Sequence, residues 1–459
     1  MTRVPASIFR RYDIRGVVGD TLTPEIAHAV GRAYGSEAVA SGNPRVVVGR
    51  DGRLSSAGLA EALVRGLTES GLGVIDIGEA PTPLTYFAAG HLGTESCISV
   101  TGSHNPGVYN GFKLVLGGRS LHDEQIQGLR ARVEQGDLLS GRGHRETTDV
   151  REAYIGRVRD DVRLARPLRV GLDCGNGVGA RLVPQLLETL GCEVVPLFCE
   201  VDGHFPNHHP NPSVPENLEP LQQTVVDQGL DLGLAFDGDA DRLGIVDDRG
   251  KIIWPDRQLM LFARDLLPRH PDALIVYDVK CTHQLRRLIE GHGGRALMWK
   301  CGHSLLRAKM QETGALLGAE LTGHFYFKDR WYDFDDAVYA ATRLLEILSR
   351  EPGPASAVFA DLPESPSTPE LVIPVGGEGQ QFEFMRRFVE SADFPDATLT
   401  TIDGLRADFP GGWALLRGSN TTPALIARFE ADTEAELDRL RELFRARIRS
   451  LDAGLEIPF

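Results

Sequence analysis

The chain reads as an α/β protein built from three tandem, similar mixed α/β domains plus a C-terminal α+β cap domain. Three observations carry that reading. A strand, helix, strand pattern with a glycine helix stop occurs three times, an aspartate closes the first strand of each copy, and the grammar changes after a Pro- and Ser-rich segment.

The first copy runs from the β-branched stretch Arg45 to Asp51, through a helical pattern over Ser55 to Ser70 and a stop at Gly71, to the apolar run Gly73 to Ile77. The second begins at Arg169 to Asn176, continues as a helix to Leu190, stops at Gly191 and returns as Glu193 to Phe198. The third begins at Leu274 to Lys280, carries a helix to about Glu290 and glycines at Gly293 and Gly294, and returns as Arg295 to Trp299. Glycine closes a helix because it enters the left-handed region without a Cβ penalty, and strand, helix, strand is the unit of a sheet with parallel strands. Asp51, Asp173 and Asp278 lie 122 and 105 residues apart, so the repeat is domain-sized.

The remaining stretch predicts short strands at Leu371 to Val375, Ala397 to Asp403 and Trp413 to Arg417, with amphipathic helices at Phe382 to Glu390 and Glu434 to Leu451. Leu362-Pro363-Glu364-Ser365-Pro366-Ser367-Thr368-Pro369 before it continues neither a helix nor a central strand and reads as a hinge linker. The expected domains are 1–148, 149–251, 252–363 and 364–459.

A net charge of −15 over 459 residues argues against nucleic acid and anionic membrane as partners, since both need a positive field. A small phosphorylated ligand needs only a local cationic cluster. No apolar run is long enough to span a bilayer and the amino end has no signal-peptide stretch, so a cytoplasmic location is expected. The six cysteines have no paired C-x-x-C spacing and read as reduced thiols.

Two segments carry the chemistry. Val100-Thr101-Gly102-Ser103-His104-Asn105-Pro106 places Ser103 in a turn after the strand Ser96 to Val100, which is expected to expose its hydroxyl. Phe236-Asp237-Gly238-Asp239-Ala240-Asp241-Arg242 places Asp237, Asp239 and Asp241 after the apolar strand Leu232 to Phe236, at a strand's carboxyl end where α/β proteins place ligands. Three repelling carboxylates in so short a loop call for a cation, and oxygen-only ligands favour Mg²⁺. A serine holding a phosphoryl group needs its charge neutralised, so the pair of segments points to phosphoryl transfer.

Other segments offer recognition. Arg417, Ser419, Asn420 and Thr421 combine a fork donor with small polar side chains on a glycine-loosened loop, a receptor for phosphate. Glu320 and Thr322 stand two apart, so an extended backbone would point both to one side and toward sugar hydroxyls. Arg15, Lys113, Arg242, Lys280 and His303 are candidates to line an anionic cleft.

In this order the motifs resemble the α-D-phosphohexomutase superfamily, in its bacterial phosphomannomutase/phosphoglucomutase branch. The resemblance runs from Phe9-Arg10-Arg11-Tyr12-Asp13-Ile14-Arg15-Gly16, through Trp299-Lys300-Cys301-Gly302-His303-Ser304, to the Arg417 loop. It implies three α/β domains and a mobile fourth around a central cleft, with Ser103 as phosphoserine and Asp237, Asp239 and Asp241 as Mg²⁺ ligands beside the serine. It also implies that the Arg417 loop grips the distal phosphate, that Glu320 and Thr322 read sugar hydroxyls, and that Tyr12, Arg15, Lys113, Arg242, Lys280, His303 and His324 line the cleft. Arg15, Lys113 and His303 are its candidates for proton transfer.

The activity implied is the interconversion of hexose 1- and 6-phosphates of mannose and glucose through a hexose 1,6-bisphosphate, by a chain expected to be a monomer. Two departures stand out. Thr322 replaces the usual serine, and Ala240 replaces a glycine, which is tolerable only if its φ is negative. The competing readings are a phosphoglucosamine mutase, a phosphatase with Asp237 as nucleophile, and a silent phosphosugar-binding module.

Overall fold

The computed structural model of the chain describes residues 4–377, 379–420 and 422–459. It divides into two compact units, Met1–Gln258 with His303–Asp361, and Leu259–Gly302 with Leu362–Phe459.

The first unit holds two mixed sheets. One is ordered Ile14–Val17, Tyr109–Leu116, Cys97–Val100, Arg45–Arg50, Gly73–Glu79, Arg145–Thr147. Arg45–Arg50 pairs parallel with both of its neighbours, while Tyr109–Leu116 runs antiparallel to Ile14–Val17, Cys97–Val100 and the short Arg119–Ser120. The helices Pro24–Ala40 and Ser56–Glu69 pack closely because a Cβ on Gly31 would meet the Leu63 carbonyl at 2.3 Å and one on Gly66 the His28 carbonyl at 2.2 Å. The second sheet is ordered Ile252–Ile253, Leu243–Asp247, Leu232–Phe236, Arg169–Asp173, Glu193–Leu197. Its middle strand Leu232–Phe236 is buried throughout and pairs parallel with Arg169–Asp173 and antiparallel with Leu243–Asp247. The unit also contains the helix His303–Thr313, an antiparallel pair Leu317–Ala319 and Phe325–Phe327, and the buried helix Ala337–Arg350.

In the second unit Leu274–Asp278 and Arg295–Trp299 pair parallel, joined by the helix His283–Gly291. A five-stranded antiparallel sheet follows, ordered Leu371–Pro374, Ala424–Ala431, Gly412–Gly418, Leu405–Phe409, Thr398–Thr400, with helices Gln380–Glu390 and Glu434–Leu451. The two segments join around Trp413, which is fully buried. The Arg406 guanidinium lies 3.8 Å from its ring centroid and donates to the carbonyls of Val279 and Cys281 at 2.7 and 2.8 Å.

All three strand, helix, strand copies are present, and the aspartates that align them do one job. Asp51 accepts from the Arg53 amide at 3.1 Å, Asp173 from Gly175 at 2.7 Å and Asp278 from Lys280 at 2.9 Å. Each closes an Asx turn at the end of its strand.

Several expectations need correction. Leu405–Phe409 is a strand that the pattern reading passed over. The Pro- and Ser-rich segment is not a free linker along its length, since Thr368 donates its amide to the Phe429 carbonyl at 2.9 Å and accepts from the Phe429 amide at 3.0 Å. Ala240 has φ +58°, in the left-handed region, so the condition placed on that departure fails. Among the described residues no helix is long and apolar enough to cross a membrane.

Candidate functional site

Ser103 sits in the loop after Cys97–Val100 with φ +48°. It is 2% exposed, not displayed to solvent as its turn suggested; the exposed part of the loop is Pro106 to Val108. Its amide donates to Thr101 Oγ1 at 2.8 Å, and its Oγ donates to Asp237 Oδ2 at 2.9 Å and lies 3.1 Å from His104 Nδ1.

The acidic loop is where the pattern placed it, between Leu232–Phe236 and Leu243–Asp247, and it is wound tightly. Asp237 Oδ1 accepts the amides of Asp241 and Arg242 at 3.1 and 3.2 Å, and the Ala240 amide donates to the Asp237 carbonyl at 3.1 Å. Asp237, Asp239 and Asp241 are all 0% exposed and each offers an oxygen within 4.8 Å of the other two. Burial, with the charges of Asp241 and Asp239, drives the Asp237 carboxyl well above its usual range. Burial acts on Asp239 too, yet the Lys113 ammonium and a hydrogen bond from Thr82 hold it below the usual range.

Asp239 Oδ2 accepts from Thr82 Oγ1 at 2.5 Å and from Lys113 Nζ at 2.7 Å, and Lys113 also donates to Asp241 Oδ2. The other oxygens, Asp239 Oδ1 and Asp241 Oδ1, are buried with no hydrogen-bond partner among the described residues, though His324 Nε2 lies 3.5 Å from Asp241 Oδ1. Two orphaned carboxylate oxygens beside a serine hydroxyl are a costly arrangement that a hard divalent cation would satisfy, so the residues fit such an ion.

Cations surround this centre. Burial works against the ammonium of Lys113, but Asp239 and Asp241 outweigh it and keep the group protonated. Arg15, on Ile14–Val17, pairs with Asp13 at 2.5 Å and donates to Asn105 Oδ1 at 3.0 Å, reaching the serine loop. His303 opens its helix 5.2 Å from the Tyr12 ring and 5.7 Å from the His324 ring, and burial together with the Lys113 charge keeps its imidazole neutral. Arg242 donates Nε to His324 Nε2 at 2.9 Å, which leaves the ring proton on Nδ1, 3.3 Å from Glu320 Oε2 and 3.8 Å from Asp335 Oδ2.

The Glu320 loop is a turn, not the extended backbone expected, closed by Gly323 N to Glu320 O and Glu320 N to His324 O, both 3.0 Å. Glu320 is buried and Thr322 half-buried, so their placement rests on turn geometry rather than strand alternation.

In the second unit Arg417 pairs with Asp403, Nε to Oδ2 at 3.1 Å and Nη2 to Oδ1 at 3.3 Å. Ser419 Oγ accepts the amide and hydroxyl of Thr422 at 3.2 and 3.0 Å, and Asn420 beside it is half-buried. Thr421 lies outside the described residues. Lys280 is buried 3.1 Å from Glu370 and 3.9 Å from Asp278, which together keep it charged against the cost of burial.

Sequence reasoning missed Thr82 and Glu370, whose partners Asp239 and Lys280 come from far along the chain, and also Asp13, Asp335 and Asp403, which lie closer in sequence to theirs. Arg53 was missed as well, and Asp51 was seen only as a marker of the repeat. A polar residue directly after a β-branched strand, as at Asp51, was the available signal.

Models of the phosphoglucomutase/phosphomannomutase α/β/α domains I, II and III match residues 6–140, 152–250 and 254–365, and the model of the C-terminal domain matches 382–447. The chain is 54% identical over 456 residues to a phosphomannomutase/phosphoglucomutase of Pseudomonas aeruginosa, covering 99% of this chain and 98% of the relative. It is 49% identical over 455 residues to a phosphoglucomutase of Neisseria gonorrhoeae, covering 98% of each. A crystal structure of a phosphoglucomutase/phosphomannomutase family protein from Burkholderia thailandensis superposes with a TM-score of 0.94 at 48% identity, covering 100% of both chains.

Three α/β/α domains and a C-terminal domain, with a serine beside an acidic centre, define an α-D-phosphohexomutase. Within that class the chain belongs to the phosphoglucomutase/phosphomannomutase family.

Proposed function

We propose that the chain is an isomerase that moves phosphate between O1 and O6 of glucose and mannose through a phosphorylated Ser103 and a hexose 1,6-bisphosphate. The observation that carries this reading is Ser103 Oγ at 2.9 Å from Asp237 within a buried three-carboxylate centre. Asp237, Asp239 and Asp241, with an oxygen of phosphorylated Ser103, would hold Mg²⁺. When bound, Mg²⁺ supplies positive charge that offsets the phosphoryl oxygens.

In the forward direction the bond from phosphorus to Ser103 Oγ breaks as a bond forms to the free sugar hydroxyl, and that hydroxyl's proton must leave. Neutral His303 is the base we assign, while Arg15 and Lys113 hold positive charge over the transferring group. The bisphosphate reverses its orientation and returns the other phosphate to Ser103. We assign Arg417, Ser419, Asn420 and Thr421 to the distal phosphate, with Lys280. Glu320 and Thr322 take the sugar hydroxyls, with Tyr12, Arg242 and His324 beside them. Glucose and mannose differ only at C2, so a reader of shared hydroxyls and phosphate serves both. We further propose domains at 1–148, 149–251, 252–363 and 364–459, and a cytoplasmic monomer.

The test is turnover of glucose 1-phosphate and mannose 1-phosphate side by side, primed with glucose 1,6-bisphosphate, with intact mass for the added phosphate. Both hexoses should turn over, and Ser103→Ala should remove activity and the mass increment together. Preferential turnover of glucosamine 6-phosphate, or phosphate trapped on Asp237, would overturn the reading.

A further inference from the structure

Resting on the reading of Ser103 as the phosphorylated residue, we propose that Arg53 is the positioning residue that holds the Ser103 loop in its reactive shape. Arg53 is 3% exposed, in the turn that Asp51 closes. Its guanidinium donates to four carbonyls of the loop backbone. The carbonyl of Ser103 accepts at 2.7 Å, Asn105 at 2.6 Å, Pro106 at 2.8 Å and Tyr109 at 3.1 Å.

Its remaining nitrogen, Nε, donates to Asp51 Oδ2 at 3.1 Å. That carboxylate also accepts Thr101 Oγ1 at 2.9 Å and the Gly102 amide at 3.0 Å. One buried ion pair therefore grips the loop on both sides of its serine. The carboxylate holds the residues that lead in, and the guanidinium holds the carbonyls that follow.

The loop needs such a grip. Ser103 occupies the left-handed region at φ +48°, a conformation that costs a non-glycine residue about 1–2 kcal/mol. Each carbonyl buried without a partner would cost about 1–3 kcal/mol more. Only a guanidinium offers a rigid fork with enough donors for four carbonyls and a carboxylate at once; an ammonium has three donors and no fixed plane.

The surroundings are cut to this one side chain. A Cβ on Gly102 would lie 2.4 Å from Arg53 Nε and 2.5 Å from Cζ, and one on Gly203 would meet the Leu54 amide at 2.6 Å. The Phe205 ring covers the guanidinium with its centroid 5.1 Å from Cζ. Gly238 of the acidic loop approaches from the other side, where a Cβ would stand 2.6 Å from the same Ser103 carbonyl that Arg53 binds. Ser103 is thus located against the acidic loop through its carbonyl as well as through its hydroxyl.

The reaction makes the consequence specific. In-line transfer asks the Oγ to P bond to be presented in the same direction on every turnover, and a misplacement of about 1 Å is enough to cost about 100-fold in rate. Substrate affinity rests on other residues, so loosening the loop should lower kcat and leave KM in place.

The experiment uses the full chain with Arg53→Lys, Arg53→Met and Asp51→Asn, assayed with glucose 1-phosphate after priming with glucose 1,6-bisphosphate. Thermal melting by circular dichroism scores the fold. We expect Arg53→Met to lower kcat by about 100-fold and Arg53→Lys by about 10-fold, with KM within about twofold of the unaltered chain. Asp51→Asn should fall between them. Folded Arg53 variants with kcat within about twofold of the unaltered chain, or a loss confined to KM, would overturn the proposal. If Arg53→Met does not fold, Arg53→Lys and Asp51→Asn decide alone, and unchanged kcat in both overturns it. An unaltered chain without mutase activity would instead refute the reading of the site, before any variant is made.

Discussion

Arg417 and Asp403 form a fork in which two guanidinium nitrogens meet the two oxygens of one carboxylate, and the Cys301 amide donates to that carboxylate at 3.0 Å. The arginine proposed to grip the distal phosphate is therefore aimed before any ligand arrives, so little side-chain entropy remains to be lost on binding. Arg417→Ala should lower kcat/KM by about one to two orders of magnitude or more, from charge-assisted contacts of about 1.5–3 kcal/mol each. Asp403→Asn, which loosens the aim but keeps the Arg417 guanidinium, should cost less. Steady-state kinetics on both variants checks the order.

Replacing Ala240 by glycine sets two effects against each other. Relief of a left-handed alanine is worth about 1–2 kcal/mol, while the added chain entropy costs about 0.4–1 kcal/mol and the lost buried methyl about 0.8 kcal/mol. Ala240→Gly should change stability by less than about 1 kcal/mol, unlike the usual penalty for a buried alanine. Gly179→Ala should destabilise, because its Cβ would meet Ala240 Cβ at 3.2 Å, and Ala240 is fully buried in a loop held by hydrogen bonds to Asp237. Denaturant titration of each variant separates the outcomes.

Chelation should silence the mutase and added Mg²⁺ restore it. Because the three carboxylates are fully buried and mutually repelling, the ion should also stabilise the fold, by about 2.7 kcal/mol at one hundred times its Kd. A melting temperature that does not move with Mg²⁺ would count against the carboxylate site.

Asp336 is buried, and that burial pushes its carboxyl up to about 7 even though Tyr339 N, Tyr154 and Trp331 donate to it. A folded-state pKa above the unfolded one stabilises at low pH and loses that contribution as pH rises through the folded value. Stability of the native chain should fall by about 2–3 kcal/mol from this group between pH 5 and 7, and Asp336→Asn should remove that slope. Melting curves of both across that window test it. The slope decides, since the amide also loses one hydrogen bond.

Trp413→Ala should destabilise the second unit by about 3–5 kcal/mol, because the ring packs under Arg406 where the parallel pair meets the antiparallel sheet. A calorimetric scan of the variant should show melting shifted to lower temperature.

How legible all this was depended on how local the cause is. The Asp237 loop was placed to the residue because Leu232–Phe236 is wholly apolar and its end is abrupt. The depth of Ser103 was misjudged because Arg53 and Asp237, which draw the loop inward, stand 50 and 134 residues away. Leu405–Phe409 alternates apolar and polar residues and was readable as a strand, but its Arg406 is buried over Trp413 and so breaks the usual polar-out rule. The sign of φ at Ala240 has no local signature. It is imposed by the hydrogen bonds that wind the acidic loop around Asp237.

The three aspartate turns are what tandem duplication of one ancestral module would leave behind. Each copy then took on a different partner at the same spot. Asp51 holds Arg53 and the serine loop, Asp173 meets His208 Nε2 at 2.9 Å, and Asp278 lies 3.9 Å from Lys280 Nζ. One recurring corner thus faces a guanidinium in the first copy, an imidazole in the second and an ammonium in the third, so the same turn tolerates three different chemistries beside it.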